Sequence, residues 1–73
     1  MIRRDLLDGA IATAGISKAK LARTIGMTPK TFYGKTKTGE FRRSEIVAIV
    51  KECHIDQPIP IFFPELVTQH ATT

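Results

Sequence analysis

The sequence predicts an all-α fold, a compact bundle of four to five helices in one domain. Three observations carry the prediction. Apolar residues recur at helical spacing in two separate stretches, residues 6–14 and 46–53. Helix-capping signals, Ser17 and the pair Thr28 and Pro29, stand between those stretches, each placed just after a glycine able to end a helix. The length of 73 residues suits one domain and leaves no room for two.

Residues 3–14 read as the first helix. Leu6, Leu7, Ala10, Ile11 and Ala14 make its apolar face, with Arg3, Arg4, Asp5 and Asp8 mostly on the other. Gly15 ends it, and Ile16 staples the chain into the core ahead of the Ser17 cap. The expected role of this helix is support for the two that follow.

The rest of the chain is organised around residues 17–37. Ser17 caps a helix in which Leu21, Ala22 and Ile25 share one side. Gly26 turns the chain through a left-handed conformation, and Met27 points inward just beyond it. Thr28 caps a second helix, Pro29 opens it where its missing amide hydrogen does no harm, and Phe32 is the large side chain it must bury. Two short helices joined by so tight a turn cross steeply, which is a helix-turn-helix.

On Leu21, Ala22, Gly26, Met27 and Phe32, at this spacing, the chain resembles the lambda-repressor-like (Cro/repressor, XRE) helix-turn-helix family. The wording around Thr31, Phe32 and Tyr33, with Gly39, Glu40 and Phe41 soon after, looks like small regulators of temperate-phage genetic switches. The sequence departs from the family pattern at two places. Lys35 stands where the family has a second apolar anchor, and Gly34 weakens the helix interior by roughly 1 kcal/mol relative to Ala. Both predict a second helix that is short or frays after Tyr33.

Residues 36–41 read as a loop, with Phe41 returning to the core. Ile46, Val47, Ile49, Val50 and Cys53 give a fourth helix its apolar stripe; Ser44 could cap it, or Arg43 and Ser44 could already form its first turn. Pro58 and Pro60 cannot both lie inside a regular helix. Ile59, Ile61, Phe62, Phe63 and Leu66 then crowd into few positions, enough to close the core as a short fifth helix and leave an apolar surface. The domain is expected to span residues 1–67, with residues 68–73 as a disordered tail.

Charge adds a functional direction. Net charge is +4 and the isoelectric point about 9.7, a balance that favours polyanionic partners. No acid occurs from Gly9 to Gly39, and six of the 11 basic residues fall in that window: Lys18, Lys20, Arg23, Lys30, Lys35 and Lys37. The resemblance implies that the second helix of the pair enters the major groove of DNA. Thr28, Pro29, Lys30 and Thr31 would lie at its exposed start, with Tyr33 and Gly34 one turn on. Lys30 would reach guanine, Thr31 a thymine methyl or a phosphate, and Pro29 would set backbone shape. Tyr33 would touch a phosphate, stack, or lean on the core edge. Ser17 and Lys18 would hold a phosphate, and Lys35, Lys37, Arg42 and Arg43 the neighbouring strand.

The resulting expectation is a sequence-specific transcriptional regulator of the Cro/repressor type in a phage lysis–lysogeny switch. Its partners would be a double-stranded DNA operator and a second copy of the chain, docked through Ile59, Ile61, Phe62, Phe63 and Leu66. The rival expectation is an antirepressor, a modulator that binds the DNA-binding domain of a partner phage repressor and masks it or binds DNA with it. No cofactor, metal or enzymatic activity is expected. His54 and His70 are isolated, and the single Cys53 excludes an internal disulfide and a multi-cysteine zinc site. No apolar run is long enough to span a membrane and the N-terminal stretch is a poor signal peptide, so a cytoplasmic location in a bacterial host cell is expected.

Overall fold

The computed structural model describes residues 2–66, and within them every regular element is a helix. Five helices follow in order: α1 Arg4–Ala14, α2 Lys18–Thr24, α3 Pro29–Thr38, α4 Arg43–Cys53 and α5 Ile59–Phe62. A further helical turn lies at residues 64–66. No helix among the described residues is long and apolar enough to cross a membrane. The tail expected at residues 68–73, Val67 and His70 lie outside the described residues.

Local chemistry explains each boundary. Gly15 closes α1 at φ 74°, a conformation that costs a residue with a Cβ about 1–2 kcal/mol. Ser17 Oγ accepts from the Lys20 amide at 3.1 Å and starts α2. Gly26, at φ 89°, turns the chain between α2 and α3. The Met27 amide then donates to the Ala22 carbonyl at 3.0 Å, so the backbone groups at this end of α2 are paired. Thr28 Oγ1 accepts from the Thr31 amide at 3.2 Å, and Pro29 occupies the first turn of α3.

α4 starts two residues earlier than a Ser44 cap would place it, with Arg43 and Ser44 already in its first turn. Arg42 is its cap position, and Glu45 accepts from the Arg42 amide at 2.8 Å. Arginine has no side-chain acceptor, so only this half of a capping box can form. His54 takes the left-handed closing position of α4, at φ 52°. Pro58 and Pro60 are both accommodated because Pro58 caps α5 and Pro60 falls in its first turn, where amides have no intrahelical partner.

The core gathers Ile2, Leu7, Ile11, Leu21, Ala22, Phe32, Ile49, Cys53, Ile61 and Phe62. α1 packs on α4 and α5, while α2 packs on α3. Phe32 is 0% exposed and its ring lies 5.9 Å from that of Phe41, which in turn meets Phe62 edge-on at 6.2 Å. This aromatic row ties α3, the α3–α4 connection and α5 together. The Arg3 amide donates to the Ile61 carbonyl at 2.8 Å and fastens the start of α1 to α5.

Two sequence expectations are corrected here. α3 neither shortens nor frays after Tyr33; it continues through Gly34 to Thr38 and ends on Gly39 at φ 76°. Residues 36–38, expected in a loop, are therefore helical. The reason lies outside α3. Lys35, expected to disturb the helix, is pinned to α4 by a two-pronged contact with Glu45, its Nζ lying 3.0 Å from Oε1 and 3.1 Å from Oε2. The second correction concerns the apolar segment. Ile61 and Phe62, expected at an interface, are 6% and 4% exposed and belong to the core. Ile59, Phe63 and Leu66 remain exposed.

Candidate nucleic-acid interface

The buried position of Phe32 fixes which side of α3 looks outward. Lys30, Thr31, Tyr33, Gly34, Lys37 and Thr38 are all exposed. Lys30, Lys37 and Arg42 take part in no ion pair among the described residues, and Arg43 likewise. Thr28 Oγ1 donates to Thr31 Oγ1 at 2.9 Å while accepting from the Thr31 amide. The two hydroxyls thus brace the start of α3, and Thr31 keeps its own proton for an outside acceptor. Pro29 is half-buried beside them.

Two depressions flank this face. One, about 210 Å³, lies among Arg4, Asp8, Lys18, Tyr33, Thr36 and Lys37, with Phe32 behind. Lys18 Nζ sits 3.0 Å from Asp8 Oδ1, so part of its charge is answered within the chain. Ser17 lies at the start of α2 with its Oγ engaged as the cap. The second depression, about 800 Å³ and wide open, runs along α3 onto the α3–α4 connection and includes Thr31, Gly34, Thr38, Phe41 and Arg42.

The candidate residues sort into three groups. Thr28, Lys30, Thr31, Tyr33, Lys37 and Arg42 are gathered on or beside the outward face of α3, and Ser17 and Lys18 border it through the smaller cleft. Arg43 is turned elsewhere, to an apolar groove with Phe41, Ile46, Val47 and Phe63. Lys35, expected on the neighbouring strand, has a side chain only 24% exposed, against 17% for that of Glu45, and its ammonium lies 3.0 Å from the Glu45 carboxylate. Glu45 is held below the ordinary glutamate range first by the Arg42 amide, then by Lys35, with burial opposing both.

Sequence reasoning missed Arg4, which α1 carries to the mouth of the smaller cleft, and Glu45, which fastens α3 to α4. Arg4 lies 14 positions before Lys18, and only the packing of α1 brings the two together. Glu45 was more accessible: an acid three residues after a helix start is a recognised capping signal. Burial pushes the Cys53 thiol up from its ordinary value, and no group of three or more His, Cys, Asp or Glu side chains placed to hold a metal occurs among the described residues. Comparison with protein-family models, with curated proteins and with solved structures finds no match for this chain.

Proposed function

We propose that α2, the Gly26 turn and α3 form a helix-turn-helix, and that the chain is a sequence-specific DNA-binding regulator of the Cro/repressor type. The observation that carries the reading is the outward face of α3. A helix anchored from behind by Phe32 offers Lys30, Thr31, Tyr33 and Lys37 to solvent with no acid between them. Lys30 supplies a donor for the acceptors of guanine and Thr31 a hydroxyl and a methyl. Arg4, Lys18, Lys37 and Arg42 flank them as phosphate partners, which position the helix without reading sequence. A single domain this small reads only a few base pairs, so the reading includes a dimer on a two-fold operator with half-sites about one helical turn apart.

One observation favours a second reading, in which the chain modulates a partner phage repressor by binding its DNA-binding domain. Val47, Ile59, Phe63 and Leu66 are exposed apolar side chains, Val47 at 50%. Apolar surface of this kind marks protein contacts. Selection of bound duplexes from a random pool, followed by mobility shifts with the purified protein alone and mixed with the repressor, separates the two. Enrichment of one sequence by the protein alone supports the regulator. No enrichment, with loss of the repressor's own shift on mixing, supports the modulator.

A further inference from the structure

The wide groove along α3 carries an inference that rests on the DNA-binding reading and narrows it. Among its lining residues is Gly34, a glycine in the interior of a ten-residue helix. Its backbone is ordinary helix, so no left-handed conformation requires glycine there. A Cβ built at Gly34 meets no atom of the chain within 4 Å, so no internal packing requires it either. Glycine weakens a helix interior, and here nothing inside the molecule offsets that cost. Gly9 in α1 is equally open, but Gly34 lines the wide groove, where a bare backbone admits the close approach of an outside body.

The surroundings identify that body. Thr38 Oγ1 donates to the Gly34 and Lys35 carbonyls at 3.3 and 3.4 Å and accepts from the Glu40 amide at 3.3 Å. Its hydroxyl is turned to the backbone, which leaves the methyl for the groove. Lys35 has its ammonium on Glu45 and contributes only its aliphatic stem. Phe41 supplies an aromatic wall. An apolar notch beside a bare helix backbone suits the thymine methyl in the major groove. Glu40, also in the lining, disfavours a phosphate beside it, and its carboxylate can accept from an exocyclic amine of a neighbouring base. Arg42 lines the same groove and Lys37 the smaller cleft, both within reach of the flanking backbone.

We propose that Gly34 is a specificity-determining position, at which the missing side chain lets a thymine methyl of the operator seat against α3 between Thr31 and Thr38. The test begins with duplexes selected by the wild-type protein from a random pool. Each thymine of the selected site is then replaced by deoxyuridine, which removes only the methyl. At one position per half-site the affinity falls about fourfold, the worth of one buried methyl. Gly34→Ala raises the thermal midpoint but loses about tenfold or more in affinity for the selected site, with binding to unrelated duplex unchanged. It also no longer distinguishes thymine from deoxyuridine at that position. If a sequence is selected but Gly34→Ala binds it as tightly as wild type, or no thymine methyl matters, the inference fails and the DNA-binding reading stands. If no sequence is selected, both fail.

Discussion

Glu45 does two jobs with one carboxylate: it accepts from the Arg42 amide to start α4 and receives the Lys35 ammonium from α3. Glu45→Ala removes both and is expected to cost about 1–2 kcal/mol, the range for a lost helix cap, read from chemical denaturation at neutral pH. The same side chain gives a pH dependence of known sign. Its folded pKa lies below the ordinary value of 4.5. Its contribution is therefore fully present above that value and is lost as pH falls through the lower, folded one. Denaturation of wild type and Glu45→Gln at pH 7 and pH 3 should give a gap that narrows on acidification; a constant gap would contradict the assignment. Cys53 supplies a second check at this scale. It is buried and its thiol is shifted toward the protonated form by that burial, so alkylation should be slow in the folded protein and fast in denaturant.

Among the helices, α3 carries both the buried anchor and the outward face. Phe32→Ala removes its only fully buried anchor and should cost about 3–5 kcal/mol, enough to unfold a domain of this size under mild conditions. Circular dichroism reads the loss directly. Lys35 and Lys37 are two residues apart yet should behave differently. Lys37→Ala should lower the salt dependence of DNA binding by about 0.9 in the log–log slope, the value of one phosphate contact. Lys35→Met should leave the slope unchanged and lower stability, because that ammonium already serves Glu45. The start of α3 was legible in the sequence, since Thr28, Pro29 and Phe32 act within a few residues of one another. Its end was not. Helix propensity at Gly34 argued for fraying, and the contact that overrides it comes from Glu45, ten positions beyond Lys35.

The whole molecule repeats that division. Helix starts and stops were readable wherever a cap, a glycine or a proline acts on its own neighbours, and α1, α2 and α4 fall within a residue or two of expectation. Which apolar residues of the C-terminal segment turn inward was not readable. Phe62 is claimed by its edge-on contact with Phe41 and Ile61 by the backbone bond from Arg3, partners far from them in the chain. The cationic window was legible as a run of residues, but the joining of Arg4 to it depends on how α1 packs. With Arg4, Lys18, Lys37 and Arg42 as the phosphate partners, the expected log–log salt slope is about −3.6 per bound subunit.

The proposed role of α3 is to read duplex DNA with its outward face. It is tested most directly by titrating wild type and the double variant Lys30→Ala with Thr31→Ala against one selected duplex and its scrambled counterpart, with affinity read by fluorescence anisotropy. Wild type should prefer the selected duplex, and the variant, still folded by circular dichroism, should lose tenfold or more of that preference. Equal binding of both duplexes by wild type, or a folded variant whose preference changes by less than about twofold, would contradict it.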